Sequence, residues 1–134
     1  LTRTIETLKE IGSGKVLVMF GCGGDRDRGK RPLMGEAVSS AADYAVLTSD
    51  NPRTEDPARI MNDVKPGLVT GTEVDLIEDR RRAIEHIIER ADKGDIILLA
   101  GKGAENYQEI NGVRHPFSDR DIALEKLKQL GYGI

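Results

Sequence analysis

Two apolar runs, Val16-Leu17-Val18-Met19-Phe20 and Ile96-Ile97-Leu98-Leu99-Ala100, constrain the fold more than any other stretch of the chain. Neither alternates with polar residues, so each reads as a strand buried on both faces. Such strands need helices above and below their sheet, and the intervening segments carry helical periodicity. Leu1, Ile5, Leu8 and Ile11 form one apolar face of an opening helix. Pro32 suits the first turn of a second helix, with Leu33, Met34, Ala37, Val38 and Ala41 expected to face inward. Tyr44 to Leu47 is another apolar strand. Asp56-Pro57 pairs an N-cap with proline at the first helical position, Ile60, Met61 and Val64 follow on one face, and Pro66-Gly67 stops that helix.

Val74 and Leu76 alternate with Glu73, Asp75 and Glu78, which predicts an edge strand with one wet face. Ala83, Ile84, Ile87, Ile88 and Ala91 mark the next helix, and Asn111-Gly112 marks a type I′ hairpin. Ser118-Asp119-Arg120-Asp121 caps a last helix bearing Ile122, Leu124, Leu127 and Leu130. Strands alternating with helices give an α/β, Rossmann-like fold: a mostly parallel sheet of about six strands with one antiparallel edge and helices on both faces. In such a sheet the first strand is central, the fourth lies beside it, and ligands bind outside the carboxyl ends.

The 134 residues suffice for one domain with a core. No apolar run approaches the ~20 residues a membrane span needs. A net charge of −3 with three tyrosines, two phenylalanines and no tryptophan speaks against a nucleic-acid platform. Cys22 is the sole cysteine, so a reducing cytoplasm is the expected compartment. His86 and His115 are far apart and read as structural, which leaves no zinc ligand set. The run Arg80-Arg81-Arg82 reads as a solvated helix face. The opening helix begins without a capping residue, and the expectation is a domain cut from a longer chain.

Chemistry is expected in the loops after Phe20, Leu47 and Ala100. The first spans residues 21–31 and nearly fits two nucleotide motifs. Arg26 stands where G-x-G-x-x-G needs its last glycine. Gly24 to Lys30 fits G-x-x-x-x-G-K, but Arg31 replaces the magnesium-binding Ser/Thr, and Asp25 and Asp27 would repel phosphate. What remains is a tight turn with alternating acid and base. The second loop, Ser49-Asp50-Asn51-Pro52-Arg53, is stiffened by proline and presents a guanidinium able to grip a carboxylate in two parallel hydrogen bonds. In the third, Gly101 and Gly103 permit close approach of a ligand, and Glu105 can receive an ammonium group. Together the loops imply a zwitterionic ligand such as an amino acid. Cys22 reads as a small buried hydrophobe, and no residue is expected to act as a catalytic acid, base or nucleophile.

Four ordered motifs carry a resemblance that covers nearly the whole chain. They are Phe20-Gly-Cys-Gly-Gly-Asp-Arg-Asp-Arg-Gly-Lys-Arg-Pro-Leu-Met-Gly35, Thr48-Ser-Asp-Asn-Pro-Arg53, Ala100-Gly-Lys-Gly-Ala-Glu-Asn-Tyr-Gln108 and Phe117-Ser-Asp-Arg120. The sequence resembles the C-terminal domain of Mur ligases, in particular those adding meso-diaminopimelate, in which Asp-Asn-Pro-Arg is a mark of the diaminopimelate users. The resemblance implies that Arg53 meets the carboxylate that lysine lacks, with Arg26 and Asn51 assisting and Asp50 and Pro52 completing the motif. Gly101 and Glu105 would hold the distal amino-acid end. It also implies ATP and Mg2+ as cofactors and a UDP-N-acetylmuramoyl dipeptide as co-substrate. Their main sites would lie on absent central and N-terminal domains, in a monomeric cytoplasmic bacterial enzyme. The chain departs from the pattern at Ala104, where many diaminopimelate-adding members carry histidine and some lysine-adding relatives carry alanine. A lysine-accepting ligase and a stand-alone amino-acid-binding module are the competing readings.

Overall fold

The computed structural model describes residues 2–12, 14–24, 27–101 and 107–132. Four strands, β1 (Val16–Phe20), β2 (Tyr44–Leu47), β3 (Glu73–Leu76) and β4 (Ile96–Leu99), form one sheet in the order β3-β2-β1-β4. Every pairing is parallel, with Leu17 opposite Tyr44 and Ile97 on the two sides of β1. The expected α/β architecture is therefore present, with β1 central and β4 beside it.

Helices cover both faces, and the pleat of β1 sorts its side chains between them. Val16, Val18 and Phe20 meet Ile5 of α1 (Thr2–Ile11), Val38 of α2 (Arg31–Ala41) and Met61 and Val64 of α3 (Pro57–Val64). Leu17 and Met19 point the other way, onto Ala83, Ile84, Ile87 and Ile88 of α4 (Arg80–Arg90) and Ile122 of α5 (Asp119–Gln129). Successive Cβ atoms alternate across a strand, so an uninterrupted apolar run supplies both cores at once. Side chains of Asp56 and Ser118 cap α3 and α5 as their sequences predict, accepting from Ala58 N and Asp121 N.

Three expectations are corrected. The hairpin β5 (Tyr107–Ile110) and β6 (Val113–Pro116), turned by Asn111 and Gly112 with φ of 52° and 74°, forms its own two-stranded sheet rather than the sheet's antiparallel edge. It docks on the loop after β2, where Arg53 and Ile110 form a parallel β-bridge. Strand β4, expected to be fully buried, is half-buried because it is an outer strand of the four. In α2 the inner face is Arg31, Gly35, Val38 and Ser39, while Leu33 is 61% exposed and Met34 is exposed. α2 approaches α3 so closely that a Cβ on Gly35 would lie 2.8 Å from the Val64 carbonyl. Ser39 completes that face by donating to Gly35 O and accepting from Val69 N. Small polar residues fit this contact, and the larger apolar pair does not.

Candidate functional site

The carboxyl ends of β1, β2 and β4 deliver three loops to one edge, and hydrogen bonds weld the first two together. Gly24 N donates to Asn51 O at 2.6 Å. A Cβ on Gly24 would sit 1.7 Å from Pro52 O, so only glycine allows this approach. Thr48 N donates to Phe20 O and Ala100 N to Met19 O, which extends the sheet's ladder to the start of the second and third loops. The ends of the loops enclose a cavity of about 400 Å³ lined by Gly21, Cys22 and Lys30 from the first, Asp50 from the second and Gly101 from the third.

The loop after β2 is gripped from several sides. Asn51 is buried, and its Oδ1 accepts from Glu109 N at 2.9 Å. Gln108 Nε2 donates to Asp50 O at 2.8 Å. Arg53 takes a left-handed backbone (φ 54°), with its N–H bonded to Glu109 O and its carbonyl accepting from Asn111 N. Its side chain folds toward the first loop, where Nη1 donates to Gly24 O at 3.1 Å and Asn51 O at 3.3 Å. Nε lies 4.0 Å from Glu109 Oε1. Among the described residues nothing accepts from Nη2. The guanidinium is thus anchored by one edge and oriented by its neighbours. Such pre-organisation lets a charged donor meet a carboxylate with little further ordering.

Of the sequence-predicted residues, Asp50 and Gly101 line the cavity, while Asn51, Pro52 and Arg53 lie in the same loop as Asp50, with Arg53 turned toward Gly24. A Cβ on Gly101 (φ 109°) would lie 3.3 Å from Asp50 Oδ2, so Gly101 packs beside the Asp50 carboxylate. Arg26 and Glu105 lie outside the described residues, as does Ala104. Cys22 is half-buried, and burial pushes its thiol above the usual range, consistent with a packing role.

The described part of the first loop offers no phosphate cradle. Asp27 caps a short 3-10 turn, accepting from Gly29 N through its carboxylate and from Lys30 N through its carbonyl. The Gly29 and Lys30 amides are therefore spent locally. Among the described residues no group of three or more His, Cys, Asp and Glu side chains is placed to hold a metal ion.

Two arginines that the sequence reading missed build the scaffold. Arg31, 2% exposed, forks onto both carboxylate oxygens of Glu55 at 3.0 and 2.8 Å, reaches Asp63 at 2.8 Å and donates to Gly23 O. It ties the first loop to α3 and to the turn after Arg53. Arg80, read as part of a solvated face, is also 2% exposed and is bonded to Asp119. Only Arg81 and Arg82 of that run are exposed. Partners 24 and 39 residues away leave no local signal in a charged stretch. His86 is half-buried, bonded to Tyr44 and Asp75, and His115 is exposed.

The Arg28 and Arg31 guanidinia hold the Asp63 carboxyl down at about 2, from an ordinary 3.8. A carboxyl depressed on folding contributes stability that is complete above its unfolded value and lost as pH falls toward its folded one. Asp63→Asn removes this contribution. The stability gap between wild type and Asp63→Asn is expected to be constant above about pH 5 and to shrink as pH falls from about 5 toward 2. Urea melts across that range check it, and a gap independent of pH would contradict the assignment.

Comparison with known proteins agrees with this fold. A family model described as "Mur ligase, glutamate ligase domain" matches residues 1–103. A UDP-N-acetylmuramoyl-L-alanyl-D-glutamate–2,6-diaminopimelate ligase of Pseudomonas putida is 54% identical over 127 residues, covering 95% of this chain and 26% of that protein. The enzyme of the same name from Prochlorococcus marinus is also 54% identical, over 95% of this chain and 25% of its own length. A solved structure of a ligase of that name superposes with a TM-score of 0.93 at 49% identity, covering 98% of this chain and 27% of that one. The chain spans about a quarter of the length of the curated relatives it matches. With the model matching well over half of its residues, the chain belongs to the Mur ligase, glutamate ligase domain family.

Proposed function

We propose that this chain is the amino-acid-delivering C-terminal domain of a three-domain, ATP-dependent ligase that adds meso-diaminopimelate to UDP-N-acetylmuramoyl-L-alanyl-D-glutamate. The product would be a cytoplasmic precursor of bacterial peptidoglycan, made by a monomeric enzyme. The observation that carries the reading is the pre-oriented Arg53 guanidinium at the meeting point of the first two loops. Diaminopimelate differs from lysine by one carboxylate, and a fixed guanidinium fork is the group that rewards it. Asp50, Asn51 and Pro52 shape the loop that holds Arg53. Gly101 passes beside Asp50, and Arg26 and Glu105 would complete the grip on the zwitterion. ATP with Mg2+, held mainly outside this chain, supplies the phosphoryl group that activates the glutamyl carboxylate. This domain's own contribution is to place the attacking amine, which accelerates by orientation rather than by proton transfer.

Alanine at position 104 favours a lysine acceptor as the second reading. The test is a ligation assay with ATP, the nucleotide dipeptide and meso-diaminopimelate. The full-length protein that carries this domain is expected to form the tripeptide, and the 134-residue chain alone to form none. Tripeptide from the isolated chain, or no incorporation of diaminopimelate by the full-length protein, would overturn the reading.

A further inference from the structure

Arg80 has one buried guanidinium and four bonded oxygens drawn from three separate segments. Nε and Nη2 donate to the two carboxylate oxygens of Asp119 at 2.8 and 2.6 Å. Nη1 donates to Ser49 O at 3.0 Å, and Nη2 also reaches Ala100 O at 3.3 Å. Ser49 O belongs to the peptide that opens Asp50-Asn51-Pro52-Arg53, and Ala100 O to the peptide that opens the Gly101 loop. Asp119 is the first residue of α5, directly after its Ser118 cap. The side chain of Arg80 is 0% exposed, so it does not reach a ligand in solvent-accessible space.

Resting on the proposed function, we infer that Arg80 is a positioning residue for the amino-acid substrate: it sets the relative placement of the two loops that together grip the distal end of the ligand. The physical basis is the rigidity of the fork. A guanidinium bidentate to a carboxylate has its remaining N–H directions fixed in the same plane. Asp119 therefore aims Nη1 and Nη2 at the two carbonyls, and each carbonyl fixes the peptide plane leading into its loop. Gln108 reinforces one side, donating to Asp50 O at 2.8 Å. An apolar residue in its place could fill the space but could not hold two carbonyls at a fixed separation.

The test is steady-state kinetics on the full-length protein with Arg80→Lys and Asp119→Asn, beside Ile87→Ala as a control of matched destabilisation from the same helix. Ile87 is fully buried in the apolar core between the sheet and α4. Lysine keeps the charge but has no planar fork, and Asp119→Asn leaves Arg80 in place without its anionic guide. The expected result is a KM for diaminopimelate raised ten-fold or more in both variants, with KM for ATP changed less than two-fold. Ile87→Ala should lower the melting temperature comparably while leaving both KM values unchanged. Equal shifts in all KM values, or a diaminopimelate KM moved as much by Ile87→Ala, would reduce Arg80 to a structural ion pair. If the wild-type protein does not use diaminopimelate, the functional reading fails instead, and the two failures are told apart by that first measurement.

Discussion

Gly24→Ala is expected to cost about 3 kcal/mol of stability and on the order of 100-fold in kcat/KM for diaminopimelate. The methyl carbon would fall 1.7 Å from Pro52 O, a distance no rotamer change relieves because Cβ is fixed by its own backbone and Pro52 O is itself backbone. The first loop must withdraw, which breaks the Gly24 N to Asn51 O bond and the Arg53 Nη1 to Gly24 O bond together. Displacing a positioning loop by an ångström is enough to lose about two orders of magnitude in rate. Denaturant melts and kinetics of the full-length variant check both parts. An active, fully stable Gly24→Ala protein would show that the contact between the first two loops does not matter to the site.

Arg53→Ala carries the second large effect. Hydrogen bonds to charged groups contribute about 1.5–3 kcal/mol each, so losing a two-bond grip on a carboxylate raises KM for diaminopimelate by roughly 100-fold or more. The same change removes an anchored cation that lysine leaves without a counter-charge, so use of lysine should hold or improve. Arg53→Lys restores a charge but not the fork and is expected to fall between the two. Some stability is also lost, since Nη1 bonds two carbonyls of the neighbouring loops. Selectivity measured as a ratio of kcat/KM values separates this general loosening, which affects both substrates, from loss of the carboxylate contact, which affects one.

Much of the architecture was legible because its signals are local. The apolar runs at β1 and β2 announce a doubly covered sheet without reference to any distant residue, and the Asp56 and Ser118 caps and the Asn111-Gly112 turn act within three residues of themselves. Placing the loops after β1, β2 and β4 at one edge followed from strand order alone. What could not be read depends on partners remote in sequence. Arg31 and Arg80 look like surface charge until Glu55, Asp63 and Asp119 are brought to them. The inner face of α2 was misassigned because periodicity favours Leu33 and Met34, whereas the close approach of α3 selects Gly35 and Ser39. The hairpin's own apolar and turn pattern gives no sign that it pairs with Arg53 in place of an edge of the main sheet. The sequence singles out Arg53 as a candidate but not how it is held: its left-handed backbone and its fold toward Gly24 follow from contacts made by both other segments.

The most direct measurement is a competition in which the full-length protein receives equimolar meso-diaminopimelate and lysine with ATP and the nucleotide dipeptide, and the products are separated by mass. A pre-oriented Arg53 that meets the second carboxylate predicts at least 100 diaminopimelate adducts for each lysine adduct, about the discrimination one charged grip can supply. Equal amounts of the two products, or an excess of the lysine adduct, would contradict it.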